Sequence, residues 1–509
     1  MSKNDAFYLT AAIPYVNAKP HIGHALEYCQ GDVLARYFRH KGRKVFYVTG
    51  ADENSLKVVR AAEEAGKKVE DFADENAKIF LDLLETYKIS IDKFQRSSSK
   101  EHYEMVQEFW EKCDVSGDIY KKEYEGLYCV SCEVFYEKNE LDNGECPYHP
   151  GKEVETVKEE NYFFRLSKYQ DRLVELIEGD TYKISPQSRK NEALAFIKRG
   201  LKDFSISRSK ERARGWGVPV PGDDSQIIYV WFDALNVYRS AAPHYWPADL
   251  HIIGKDILRF HAIYWPAMLL SAGESLPKEL FVHGFITSGG RKMSKSLGNV
   301  IDPIEMVEKY GVDASRYYLL AEIPSDEDGD FSESRFKEVY NADLANGIGN
   351  FSSRVLTLAD GKKLPARNAS PARNANIVAG GHSDAGGGFG IKNYELKDFV
   401  DKIKAKIGQS IEEKNFKAAL AELQNLIRKG DGILTGKKPW ELEDGDKKDE
   451  VLVEVVSILE ALAELLEPFL PDTAFKIFGA IHSTSSGQVK KDGSTVVCEK
   501  LDKPLFPRL

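Results

Sequence analysis

His21 and His24, separated by an isoleucine and a glycine, follow a strand-like run and open a helical one. At such a place the exposed backbone N–H groups and the helix dipole favour an anion, and two imidazoles add donors suited to phosphate oxygens. Gly23 removes a side chain, so a flat base can lie against the helix. About 270 residues later, "GGRKMSKSLGN" (289–299) sets Lys292, Ser294 and Lys295 between glycines in a run with neither helical nor strand period. Ammonium groups on such a segment can close over a triphosphate and stabilise charge developing at the reacting phosphate.

A second constellation has different chemistry. Cys129, Cys132, Cys146 and His149 read Cys-x2-Cys, thirteen intervening residues, then Cys-x2-His. Four soft ligands in two close pairs match one tetrahedral zinc ion whose coordination shell is filled by protein, which makes the metal structural. The chain holds 6 cysteines, too few for a disulfide scaffold at this length.

The elements that must position these groups are legible from periodicity. "AFYLTAAIPY" reads as a buried strand, "HIGHALEYCQGDVLARYFRHKG" as a helix ending at Gly42, and "KVFYVTG" as a second strand. This βαβ unit implies a parallel sheet with ligands at the carboxyl ends of its strands. Cysteine-bearing segments interrupt the rhythm before "SQIIYVWFDALNVY" and "DLHIIGKDILRFHAIYWPAML" resume it, and helical patterns dominate the last third. The expected class is α/β: a Rossmann-like parallel-sheet catalytic domain split by a zinc-containing connective insertion, followed by an α-helical bundle. Expected boundaries are 1–115 and 226–285 for the two catalytic halves, 116–225 for the insertion, 286–345 for the lysine loop and linker region, and 346–509 for the bundle. Residues 366–390, rich in Ala, Gly, Asn and Ser, read as a flexible linker or loop.

The chain has 509 residues, of which 42% are hydrophobic and 29% charged, with a net charge of -10. That composition suits several globular domains, and no apolar run is long enough to span a membrane. The first residues lack the layout of a signal peptide, so the expected location is the cytoplasm. Net acidity argues against a uniformly basic nucleic-acid coat, although a local basic face remains compatible with it. One basic stretch carries Arg189, Lys190, Lys198, Arg199, Lys202, Arg208, Lys210, Arg212 and Arg214. It reads equally as a guide for a nucleic-acid end, as a source of one inward-turned arginine (Arg208), or as a solvated face.

The two signatures, "HIGH" at 21–24 and "KMSKS" at 292–296, in that order around a split βαβ domain, resemble those of class I aminoacyl-tRNA synthetases. With "TAAIPYVNAKPHIGHA", "VWFDALNVY", "GKDILRFHAIYWPA" and "RKMSKSLGN", nearly the whole chain is similar to the methionyl-tRNA synthetase family. The resemblance implies a methionine–tRNA ligase. Such an enzyme activates L-methionine with ATP, accompanied by magnesium, to methionyl-AMP and diphosphate, then transfers methionine to tRNA(Met), including the initiator. It implies ATP binding by His21, Gly23, His24, Lys292, Ser294 and Lys295, with the two histidines and two lysines catalytic. It implies a methionine pocket of Ile13, Tyr15, Trp231, Ala234, Tyr238 and His261, with Asp52 on the substrate's α-ammonium. Aromatic faces suit a polarisable thioether. Many relatives have threonine and histidine where this chain has Ala51 and Asn54. Zinc in the insertion agrees with the resemblance, with a single knuckle here. In the bundle, Asn350, Arg354 and Trp440 would read the anticodon, offering edge hydrogen bonds and stacking to unpaired bases.

The alternatives are a sister class I synthetase, for which the insertion is short because such relatives carry a hydrolytic editing domain, and an inactive tRNA-binding scaffold. With no dimerisation domain after "KPLFPRL", a monomer is expected.

Overall fold

The segment Ala6–Ala11 is apolar at nearly every position and is buried along almost its whole length, as a strand covered on both faces must be. It lies inside a six-stranded parallel sheet whose spatial order is Lys93–Arg96, Lys44–Ala51, Ala6–Ala11, Leu250–Gly254, Glu279–His283, Lys183–Ser185. Register is set by pairs such as Leu9 with Leu250, Ile252 with Phe281 and Gly50 with Gln95. The sheet belongs to a computed structural model that describes residues 6–129, 134–136, 138, 141–146, 154–293, 299–365, 393–482 and 495–509.

The chain divides into two units: Met1–Glu27, Val45–Glu85 and Ile91–His283 form the first, and Tyr28–Lys44, Thr86–Ser90 and Gly284–Leu509 the second. The crossover helix begins at Ile22 in the first unit and continues to His40 through residues of the second, closing with Arg39 and His40 in the last turn, where cations suit the helix dipole. Ser55 and Ser99 cap the helices Leu56–Glu64 and Lys100–Val115 by accepting from Val58 N and His102 N. Within residues 116–225, Ile119–Cys129 pairs antiparallel with Glu155–Phe164 in a long ribbon, flanked by Val134–Tyr136 and Phe204–Ser205. The edge strand Lys183–Ser185 of the main sheet also comes from this stretch; three residues are too few to show a period in sequence.

In the second unit, Tyr394–Glu412, Phe416–Lys437, Asp446–Leu466 and Pro471–Ile481 bury apolar stripes that include Ile407, Leu423, Ile427, Leu452, Leu459 and Ile477. This is the expected helical region. Arg316 is fully buried there and donates to the carbonyls of Phe469, Tyr87 and Pro468 at 2.7, 2.9 and 2.9 Å while pairing with Asp32 at 2.8 Å. Each nitrogen of its guanidinium thus has a partner, as a buried charge requires. The linker expectation at 366–390 lies outside the described residues.

Candidate active site

The His-x-x-His segment is organised by its own backbone. The Gly23 N–H donates to Nδ1 of His21 and the His21 N–H donates to Nδ1 of His24, both at 3.1 Å. A ring whose Nδ1 accepts holds its proton on Nε2. The rings stack at 4.0 Å between centroids, 26° apart, and Phe80 meets His24 edge-on at 5.3 Å. Burial, with His21 beside it, holds His24 well below the usual histidine range, so it is neutral at pH 7. A neutral His24 can therefore stack on His21 without charge repulsion, and each ring, its Nδ1 accepting, keeps an Nε2–H as a donor. Gly23 has a second function: a Cβ there would lie 2.9 Å from Cε1 of His21 and displace the ring. Behind the motif, Glu27 accepts from the Ala12 N–H at 2.6 Å and meets Nε2 of His283 at 2.9 Å, tying the helix start to two strand ends.

The carboxyl ends of the first two strands bring Tyr15 and Asp52 side by side, with the Val16 N–H on the Asp52 carbonyl at 3.2 Å and the Asp52 N–H on the Pro14 carbonyl at 2.9 Å. Asp52 and Ala51 are buried, and Ile13 is half-buried beside Gly50. The Lys57 ammonium sits 3.8 Å from the Tyr15 ring centre. Trp231 meets Tyr15 edge to face at 6.2 Å and His261 at 6.3 Å. Tyr238 donates to Nε2 of His261 at 2.9 Å, and Nδ1 of His261 donates to the Ile257 carbonyl at 3.0 Å. Burial brings His261 down to about 4. The expected methionine-binding aromatics and His261 therefore form one contiguous surface, with Ala234 one turn from Trp231 on the short helix Val230–Ala234.

Phe260 escaped sequence reasoning. It stacks flat on Trp231 at 3.7 Å and 5°, which fixes the indole plane. Phe260–Tyr264 is a turn of π-helix, a rare form found disproportionately at functional sites, and sequence periodicity has no signal for it.

The basic stretch contains ion-paired groups and two arginines, Arg208 and Arg212, that turn inward. Arg208 is buried, donates to Ser205 Oγ and the Ser207 carbonyl at 2.9 and 2.7 Å, and lies 4.4 Å over the Tyr229 ring. With Arg212, Tyr128, Trp216 and Asn54 it lines a cleft. Lys190, Lys198 and Arg189 pair with Asp180, Glu178 and Glu192.

Of the zinc set, Cys129 and Cys146 are described. Both are 1% exposed in one apolar cluster with Tyr136, whose hydroxyl is 3.8 Å from the Cys146 sulfur. Cys132 and His149 lie outside the described residues, among which no group of three or more metal-ligating side chains assembles. Two buried sulfurs presented near the end of one ribbon suit a soft metal.

In the second unit, Ile286–Ser288 and Arg291–Lys292 form a hairpin turned by Gly289 and Gly290 at φ 62° and 71°, a conformation that favours glycine. Asp330 accepts from the Gly290 N–H at 2.8 Å. Lys292 ends this hairpin, whereas Ser294 and Lys295 are outside the described residues. Asn350 is exposed, Arg354 pairs with Asp431 at 2.5 Å, and Trp440 is 49% exposed just after the helix Phe416–Lys437.

No helix among the described residues is long and apolar enough to cross a membrane. Residues 7–356 match the family model for class I (M) tRNA synthetases. The chain is 42% identical to the methionine–tRNA ligase of Nostoc sp. over 489 residues, covering 93% of this chain and 89% of that one. It is 38% identical to the methionine–tRNA ligase of Brucella melitensis, covering 99% and 98%. The relatives include an Arabidopsis thaliana enzyme described as chloroplastic/mitochondrial, 39% identical over 95% of this chain and 78% of that one. The structure of Mycobacterium tuberculosis methionyl-tRNA synthetase in complex with methionyl-adenylate superposes with a TM-score of 0.87 at 34% identity, covering 99% and 100%. With its signature histidines stacked at the carboxyl edge of a parallel sheet and its likeness running over nearly the full length, the chain belongs to the methionyl-tRNA synthetase family and is a methionine–tRNA ligase.

Proposed function

We propose that L-methionine lies with its thioether among Tyr15, Trp231, Tyr238 and His261, its α-ammonium on Asp52, and Ile13 and Ala234 limiting the space. The methionine carboxylate attacks the α-phosphorus of ATP, the bond to the diphosphate breaks, and methionyl-AMP forms. The ribose hydroxyl of the terminal adenosine of tRNA(Met), initiator included, then attacks the carbonyl carbon as its proton departs, and AMP is released. His21 and His24 donate from Nε2 to phosphate oxygens as charge shifts onto the diphosphate, and Gly23 leaves room for the base. The observation that carries this reading is the pair of backbone bonds to Nδ1, which commits both rings to donating from Nε2.

The roles of Lys292, Ser294 and Lys295 in adding positive charge and hydrogen bonds at the triphosphate are supported by the sequence match. Magnesium arrives with ATP and screens the diphosphate. Cys129, Cys132, Cys146 and His149 would hold a zinc ion, which with four protein ligands would serve structure and not chemistry. Asn350, Arg354 and Trp440 bind the anticodon. A cytosolic setting agrees with a chain whose few cysteines are spread too thinly for a disulfide framework.

The test is amino-acid-dependent exchange of labelled diphosphate into ATP, without tRNA, across all twenty amino acids. Exchange with methionine alone is expected. Exchange that H21N or H24N leaves at the wild-type rate would remove the assigned role of the histidines.

A further inference from the structure

Asn54 stands where three elements meet. It follows the strand Lys44–Ala51, and its amide nitrogen donates to the Ser97 carbonyl, just past Lys93–Arg96, and to Oδ2 of Asp233 in the helix Val230–Ala234, each at 2.8 Å. Its amide oxygen accepts from the Tyr103 hydroxyl at 3.0 Å. Both donors and the acceptor of this amide are thus in use. Beyond it, Oδ1 of Asp233 accepts from Nε2 of His102 at 2.5 Å, and Nδ1 of His102 meets Oγ of Ser240 at 2.7 Å. Asn54, Asp233, His102 and Ser240 are all buried.

The network joins the two sides of the methionine pocket. Asn54 is two residues past Asp52, while Asp233 lies between Trp231 and Ala234. The helix that carries Trp231 is 5 residues long and has no side-chain cap, so its orientation comes from whatever grips it rather than from its own hydrogen bonds. Phe260 grips it through the indole face, and Asn54 and His102 grip it through the Asp233 carboxylate. A buried polar chain with its members satisfied is stiff, and a buried carboxylate that lost these donors would move to find others.

We infer that Asn54, Asp233 and His102 are positioning residues that set the separation between the Asp52 side and the Trp231 side of the methionine pocket. None of them touches the reacting atoms. The inference rests on the methionine-pocket reading given above.

The decisive substitution is N54D, read in diphosphate–ATP exchange. It removes the shared donor and sets a carboxylate against the carboxylate of Asp233 and the carbonyl of Ser97. The KM for methionine is expected to rise roughly tenfold, while kcat and the KM for ATP stay within about threefold, because the pocket is loosened and the phosphate site is not. In N54D/D233N the amide and carboxylate change places, one hydrogen bond returns, and most of the methionine KM is recovered. If N54D does not fold, Y103F decides: it removes only the hydroxyl that holds the amide oxygen, keeps the ring, and is expected to raise the methionine KM about threefold.

A methionine KM unmoved in N54D or Y103F, a parallel rise for methionine and ATP, or no recovery in the double variant overturns the inference. W231A separates the two layers. An unmoved methionine KM in W231A sinks the pocket reading itself, whereas a raised KM there with wild-type behaviour in N54D and Y103F overturns the positioning network alone.

Discussion

The Tyr238 hydroxyl donates to Nε2 of His261 at 2.9 Å, and the same ring gives its Nδ1 proton to the Ile257 carbonyl at 3.0 Å. The imidazole is therefore held in one tautomer and one orientation, with its accepting nitrogen filled by a phenol. A thioether sulfur is a weak acceptor, and the single Tyr238 proton lies on Nε2 of His261 here, so this hydroxyl favours sulfur over a methylene only by turning that proton to the bound methionine. Y238F is expected to raise the KM for methionine about fivefold with kcat little changed, and to lower discrimination against norleucine, in which a methylene replaces the sulfur. Equal loss for both amino acids in exchange assays would show that the hydroxyl serves packing and not sulfur recognition.

The same ring makes stability depend on pH. Burial brings His261 from its ordinary 6.5 to about 4, so between those values the unfolded chain takes up a proton that the folded chain does not. Stability is full above pH 6.5 and falls as the pH drops toward 4. His24 and His251, also lowered by burial, act in the same direction. Between pH 7 and 5 the His261 contribution is about 2 kcal/mol. H261Q, which cannot titrate, should show a smaller acid shift of its thermal midpoint than the wild type; an identical shift would mean that this ring is protonated in the folded chain.

Gly23 is expected to tolerate no side chain. With a Cβ 2.9 Å from Cε1 of His21, G23A must push the ring off its bond to the Gly23 N–H. Because the displaced group is the proposed donor to phosphate, exchange kcat should fall roughly 10–100-fold with the methionine KM unchanged. A loss confined to the methionine KM would contradict the separation of the two subsites.

The sequence made the chemistry more legible than the geometry that fixes it. His21 and His24 were readable because their spacing is tied to a local element and their chemistry is distinctive, whereas Tyr15, Trp231, Tyr238 and His261 were reached only through the family resemblance, since a lone aromatic reads first as core. The strand Lys183–Ser185 is too short to carry a period, and the Phe260–Tyr264 turn breaks the 3.6-residue rule on which helix reading depends. His102 carries no local signal, since its partner Asp233 is 131 residues away. An acid inside "VWFDAL" was the signal available, because a charge in an apolar run needs a buried partner.

Zinc should be needed for the insertion and not for the chemical step itself. Cys129 and Cys146 are buried in one apolar cluster, where removal of a shared metal would take away the ion that ties them to the rest of the ligand set. C146S is expected to bind less than one zinc per chain, to unfold at lower temperature and to expose further thiols to alkylation, with residual exchange activity tracking the folded fraction. Metal analysis that finds no zinc in active wild-type protein would exclude this role.

Anticodon reading should be separable from adenylation. Trp440 is 49% exposed, and Arg354 is held by Asp431 at 2.5 Å, so an aromatic face and a fixed guanidinium are both available to unstacked bases. Base–aromatic stacking contributes about 1–3 kcal/mol, so W440A should lower kcat/KM for tRNA(Met) in aminoacylation by roughly 5–150-fold. Exchange measured without tRNA should stay at the wild-type rate, because no base is read in that half-reaction. D431N leaves the guanidinium in place but frees its orientation, and a smaller loss confined to the tRNA KM is expected. A fall in exchange for W440A would mean that the tryptophan supports the fold; an unchanged tRNA KM in both variants would move the anticodon site elsewhere on the second unit.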